Sequence, residues 1–208
     1  MDEAFDPSRY PDKLNLGCGW DLREGYLNVD LHDFHGPDLV ADVTRLEMLP
    51  SDAYAEIIAQ DVLEHLPRQS TVEVLQEWSR LLRVGGQLHL RVPSVIDLAE
   101  LMKLPENQTI AQQELFVQCL FGTQAYTEDF HYTTFTKPLL LHYLGEAGLE
   151  AVTWGMRDGW LFEVDARKVA PPGTEANARG RRPAAVALTR RLALASRRLF
   201  SDREDSRL

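Results

Sequence analysis

The chain has 208 residues, 44% of them hydrophobic and 9% aromatic, which is enough to bury one substantial core. Its formal net charge of -10 argues against general affinity for nucleic acid. With no run of about 18 apolar residues, no basic-then-apolar leader and only two cysteines, Cys18 and Cys119, a membrane span, a secretory signal, a disulfide framework and a C-x-x-C metal site are excluded, and a cytoplasmic protein is expected.

The first apolar run, 13–16, breaks at Gly17-Cys18-Gly19, where two glycines allow a tight reversal and close approach of a ligand to backbone N–H groups. Strands are expected at 26–31, at 39–41 ending in Asp42, and at 55–60 after the turn signals Pro50, Ser51 and Asp52. Val72, Val74, Leu75, Trp78, Leu81 and Leu82 recur with helical spacing and predict a helix over 71–83, capped by Ser70 or Thr71. Gly85-Gly86 is expected to end it and release a fifth strand, 87–93. A helix over 136–147 has Pro138 in its first turn and Gly148 as its stop. Segments 150–154 and 161–169, joined across Arg157-Asp158-Gly159, read as an antiparallel hairpin.

This alternation predicts an α/β fold with a mainly parallel sheet in a domain spanning 1–169. Only about six residues separate Gly19 from the second strand, too few for the crossover helix of a dinucleotide fold. Beyond the domain the charge reverses. Residues 170–208 hold nine arginines against Glu175, Asp202, Glu204 and Asp205, a net of +5 that leaves -15 on the first 169 residues. Within it, 170–183 reads as a linker. In 184–208, Leu188, Leu192, Ala195 and Leu199 form the apolar stripe of a basic amphipathic helix, with Arg190 and Arg197 pointing away from it. Such a helix could lie on an anionic membrane, bind a partner or a second subunit, or dock on its own acidic body.

In order, LNLGCG, LNVD, ADVTRLEMLP, AEIIAQDVLEHL, LLRVGGQLHLRVP and EAGLEAV resemble the class I S-adenosylmethionine-dependent methyltransferases. The similarity is to the methyltransferase type 11-like branch, which includes sugar O-methyltransferases of polysaccharide synthesis such as the mycobacterial mannoside type. It covers about residues 13 to 169 and implies a Rossmann-like, seven-stranded sheet with the hairpin at its end. It also implies S-adenosylmethionine as methyl donor. Backbone N–H groups around Gly17 and Gly19 would meet the donor's carboxylate, and Asp30, acceptor-only with two oxygens, would take the ribose hydroxyls. Asp42 and the Val43 N–H would meet adenine, and Gln60 and Asp61 the methionine moiety. Asn15, Cys18 and Leu31 fall in the same motifs. Asp30 and Asp42 could also simply end strands. Asn15 stands where many members carry an acid, and Val84 where a proline is common.

A methyl acceptor needs a base. Asp61, Glu64 and His65 would share a face if Asp61 opens a helical turn. This pattern resembles the acid-x-x-Glu-His site at which some methyltransferases hold a divalent ion, usually magnesium, completed by a later histidine, His131 or His142. Without a metal, His65 or His131 can act as general base, and His65 could instead only orient its turn. Residues 105–135 form the expected cap over the acceptor, where Tyr126 and Tyr132, with Trp160 and His142 outside it, are candidate substrate contacts. His32 and His35 receive no role. The leading expectation is methyl transfer to a hydroxyl of a sugar or oligosaccharide. The alternatives are a membrane-associated methyltransferase of a quinone, lipid or phenol, and a non-catalytic cofactor-binding regulator.

Overall fold

A computed structural model describes residues 6–170 of the chain. The linker and basic helix expected at 170–183 and 184–208 lie outside these residues, apart from Ala170. Seven strands, β1 (Lys13–Leu16), β2 (Leu27–Asp30), β3 (Leu39–Val40), β4 (Tyr54–Gln60), β5 (Leu82–Pro93), β6 (Leu149–Arg157) and β7 (Leu161–Lys168), form one sheet in the order β3-β2-β1-β4-β5-β7-β6. The first five strands are parallel, β7 runs antiparallel to β5, and β6 antiparallel to β7. The α/β class, the largely parallel sheet and the closing hairpin are as the sequence predicts.

Four helices accompany the sheet: α1 (Thr71–Leu81), α2 (Val95–Lys103), α3 (Ile110–Phe121) and α4 (Lys137–Glu146). Leu14, Leu16, Ile57, Ala59, Leu88, Leu90, Val92 and Val164 point from the strands into a core that Val74, Leu75 and Trp78 of α1 and Leu140 and Leu144 of α4 close from above. Trp78 is fully buried, and its indole N–H donates to the Val43 carbonyl at 2.9 Å, so its one polar atom costs nothing in the core.

Alternation sends the intervening strand residues to the other face. There Lys13 pairs with Glu56, and His89 reaches Glu56 at 3.7 Å and Asp165 at 2.6 Å. Parallel sheets are ordinarily covered on both faces and apolar on both. Among the described residues no α-helix joins β1 to β2 or β2 to β3, only a single 3-10 turn after β2, and this face is accordingly polar, with a depression of about 570 Å³ bordered by Tyr26, Glu56, Gln60 and His89.

The glycine pair after the first helix departs from expectation. The helix ends at Leu81, Leu82 is extended, and Gly85 and Gly86 lie inside β5, where the pairing with β4 shifts register between Tyr54 and Glu56. A Cβ on Gly86 would stand 2.9 to 3.1 Å from the carbonyl oxygens of Arg83, Tyr54 and Ala55, so the glycine serves a close backbone approach and not a helix stop. Ser70 makes no capping bond; the Thr71 hydroxyl donates to the Arg68 carbonyl instead. The last helix starts one residue late, at Lys137, with Pro138 in its first turn.

Candidate functional site

The carboxyl ends of β1, β2 and β4 open onto a cavity of about 490 Å³, the position where open α/β sheets bind ligands. Gly17, Gly19, Asp30, Leu31, Asp42, Val43, Asp61, His65, Tyr126 and Tyr132, all expected from the sequence, line it. The depression on the other sheet face is larger, but it lacks the glycine turn and the histidines below.

Gly17 has φ +61°, and a Cβ there would meet Val62 Cγ2 at 2.5 Å. Gly17→Ala is therefore expected to cost about 1–3 kcal/mol of backbone strain plus the overlap. Thermal melting should show the loss, and adding Val62→Ala should recover the overlap portion only. Asn15 sits behind the turn and not in the cavity. It is buried, and its Nδ2 donates to the Asp21 carbonyl at 2.7 Å and to Asn28 Oδ1 at 3.0 Å, which braces the connector. Cys18 also points inward; burial, with Asp30 adding to it, pushes its thiol up to about 11. Such a thiol is a packing group and not a nucleophile.

Asp30 is the most heavily bonded group of the site. It accepts from the N–H groups of Gly19 at 2.8 Å and His32 at 3.0 Å, and from His35 Nδ1 at 3.0 Å. Burial works to raise its carboxyl, but these donors outweigh it and hold it below the usual range. Asp42 Oδ1 accepts from the Thr44 N–H and hydroxyl, which leaves Oδ2 for a ligand.

Asp61 does not open a helical turn. Its φ is +55°, and Arg91 grips its carboxylate in a fork, with Nε at 2.8 and 3.0 Å from the two oxygens and Nη2 closing the pair. The shared face of Asp61, Glu64 and His65 is therefore not formed. A short 3-10 turn, Leu63–His65, positions the other two.

Glu64, His65 and His131 converge, with ligand atoms within 4.8 Å of one another. The imidazoles meet edge to face at 4.6 Å. His65 Nδ1 bonds the Glu128 carbonyl and His131 Nδ1 the Cys119 carbonyl, each at 3.0 Å, so both Nε2 atoms stay available. Burial, then the neighbouring His65, holds His131 below the usual histidine range. Glu64 is 2% exposed, and its Oε2 has no hydrogen-bond partner. Burial pushes its carboxyl up to about 8, with Asp61 adding to the effect.

Other expectations are not met. Gln60 borders the opposite depression, accepting from Arg23 at 3.1 Å, because its alternate position turns it to the polar face. His142 is exposed on α4 beside Tyr143, and Trp160 stands in the β6–β7 turn, where its carbonyl accepts from the Ser94 N–H; neither reaches the cavity. Residues the sequence did not single out, Trp20, Val62, Leu66, Thr127 and Glu128, complete the lining together with His32 and His35. His32 Nε2 lies 3.6 Å from Glu128 Oε2 across the mouth.

No protein-family model matches the sequence, and no curated protein matches it. Solved structures do match. An S-adenosylmethionine-dependent methyltransferase from Methanosarcina mazei superposes with a TM-score of 0.54 at 16% identity, over 76% of this chain and 92% of that one. The 1,6-didemethyltoxoflavin-N1-methyltransferase of Burkholderia thailandensis, solved with 1,6-didemethyltoxoflavin and S-adenosylhomocysteine, gives 0.50 at 17% identity, over 76% and 71%. A possible exported protein from Bordetella parapertussis gives 0.54 at 16% identity, and the alignment spans 63% of that chain against 77% of this one. Identities this low report architecture: the chain has the Rossmann-like fold of the class I methyltransferases.

Proposed function

We propose that the chain is an S-adenosylmethionine-dependent O-methyltransferase, and that its acceptor is a hydroxyl of a sugar or oligosaccharide. The observation that carries methyl transfer is one cavity with the glycine turn and Asp30 in its wall and His65, backed by Glu64 and His131, at its other side. When bound, S-adenosylmethionine supplies an electrophilic methyl group whose transfer to oxygen leaves S-adenosylhomocysteine and frees the hydroxyl proton. The glycine turn lets the donor approach the backbone closely, but its Gly19 and Cys18 N–H groups are already given to Asp30 and to the Val29 carbonyl and so do not bind the donor's carboxylate as the sequence suggests; Asp30 accepts from the donor's ribose. His65 lines the cavity with Nε2 free and takes the proton there, while the Glu128 carbonyl fixes its ring. His131 packs against it and, held below the usual histidine range, stays neutral at pH 7. Tyr126 and Tyr132 line the acceptor side with phenol groups that can bond a polar ligand.

Glu64, His65 and His131 also fit a divalent ion, since a buried carboxylate with a bare oxygen and two free imidazole nitrogens make a complete donor set. Two nitrogens suit a transition metal better than magnesium, which prefers oxygen, and Asp61 is committed to Arg91. Such an ion would supply Lewis acidity to an acceptor hydroxyl.

Exposed aromatic groups in the cavity wall, Trp20, Tyr126 and Tyr132, with Phe34 packed against His32 and His35 beside them, favour a second reading, an aromatic or lipid-linked acceptor. S-adenosylhomocysteine release against sugars, oligosaccharides, phenols and quinones decides. Turnover on sugars is expected; turnover confined to phenols or quinones would overturn the sugar acceptor. Asp30→Ala should weaken S-adenosylhomocysteine binding by about 10- to 100-fold, the worth of charged hydrogen bonds, with turnover at saturating donor changed much less. Calorimetry beside steady-state kinetics separates the two.

A further inference from the structure

The loop leaving β2 contributes two histidines to the cavity wall, and the chemistry above uses neither. A 3-10 turn, Asp33–His35, is closed by Gly36, whose N–H donates to the Asp33 carbonyl at 2.9 Å. This turn folds His35 back onto the strand end, so that its Nδ1 lies 3.0 Å from Asp30 Oδ1. The two side chains are 12% and 10% exposed. Trp20 meets the imidazole edge to face at 4.9 Å, and Phe34 lies against it at 4.1 Å, so the ring packs against two neighbouring aromatic groups, themselves 6.3 Å apart, as well as being bonded.

A carboxylate offers about four acceptor positions, two on each oxygen. On Asp30, Oδ1 accepts from the His32 N–H and from His35, while Oδ2 accepts only from the Gly19 N–H. The two backbone donors alone would leave one position open on each oxygen, and the carboxylate could then face a diol symmetrically. His35 fills Oδ1. The single open acceptor position is on Oδ2, beside the glycine turn.

We propose that His35 is a positioning residue that determines how Asp30 reads the ribose of the methyl donor, saturating Oδ1 so that Oδ2 alone is presented to one ribose hydroxyl. This rests on the methyl-donor assignment made above. The consequence is selectivity between the two ribose hydroxyls: the donor must supply a hydroxyl to Oδ2, whereas its neighbour contributes little. Loss of the imidazole frees Oδ1, lets the carboxylate turn, and removes that selectivity.

Binding of S-adenosylhomocysteine and of its 2′-deoxy and 3′-deoxy analogues to the full chain tests this by calorimetry. The wild-type protein should lose about tenfold in affinity for one deoxy analogue and much less for the other. In His35→Phe the two analogues should bind alike, with S-adenosylhomocysteine itself weakened. His35→Asn, which keeps an N–H donor near the Nδ1 position, should restore the preference. A merely structural role would weaken all three ligands in proportion, leave their ratios unchanged and give no rescue by asparagine. That outcome, in a His35→Phe protein that melts as the wild type does, overturns the inference. Equal binding of the two analogues by the wild type overturns it as well. Failure of the wild type to bind S-adenosylhomocysteine at all removes the methyl-donor assignment itself and the inference with it.

Discussion

Replacing His65 with alanine is expected to lower turnover about 100-fold or more, the usual worth of a general base, while affinity for S-adenosylhomocysteine stays close to that of the wild type. His65 is the member of the histidine pair that lines the cavity, and its Nδ1 is already bonded to the Glu128 carbonyl, so truncation removes the free Nε2 without exposing a core group. His131→Ala should cost less, since that ring supports His65 from behind. Protonating His131 sets a positive charge against the His65 ring, and burial, then His65, holds His131 below the usual histidine range, so the wild-type rate should fall only as pH decreases past that lowered value. Added imidazole should restore part of the His65→Ala rate, which a purely structural role would not allow. Turnover that survives thorough chelation supports the base; turnover lost on chelation and restored by manganese or zinc would assign the three residues to a metal.

Most of what positions this site is written in local pattern. Leu88, Leu90 and Val92 alternate with His89 and Arg91, and that alternation fixes both the strand and its one-sided burial. The short connection after Gly19 already excludes a crossover helix, and its structural counterpart is the polar sheet face carrying Glu56, His89 and Asp165. Helices α2 and α3 are not among the elements expected from the sequence, although their start signals are there: Ser94 accepts from the Asp97 N–H and Thr109 from the Gln112 N–H, both in the S/T-x-x-D/Q spacing of a capped first turn. What could not be read is set by contacts distant in sequence. Leu82 continues the helical apolar pattern, yet it is extended because its residue pairs with Tyr54 and its carbonyl accepts from the buried Lys168 at 2.7 Å. Asp61 looks like the first member of a metal triad, but its positive φ and its fork with Arg91, thirty positions on, direct it elsewhere. His35 finds Asp30 only through a 3-10 turn that no periodicity announces.

Glu64→Gln is expected to stabilise the protein at alkaline pH and to flatten its stability profile. Burial raises the Glu64 carboxyl from an ordinary 4.5 to about 8, so between those values the folded chain holds a proton that the unfolded chain releases. The sign follows from the linkage between proton binding and folding. Glu64's contribution is fully present below about pH 4.5, declines as pH rises, and is lost as pH passes through about 8. The interval, 8 minus 4.5, is 3.5 pH units, and at roughly 1.4 kcal/mol for each the upper limit is about 5 kcal/mol. Glutamine keeps the shape of the neutral acid and cannot ionise, so the variant should match the wild type below about pH 4.5, gain on it steadily as pH rises, and hold its full advantage above about pH 8. Urea denaturation across this range, with a chelator present, measures the difference. Parallel profiles for the two proteins would show that Glu64 ionises freely in the folded state. Its bare Oε2 gives the same experiment a second arm. A divalent transition ion that binds Glu64, His65 and His131 displaces the proton and must stabilise the wild type most where the carboxyl is otherwise penalised, at alkaline pH, and must do so far less in Glu64→Gln.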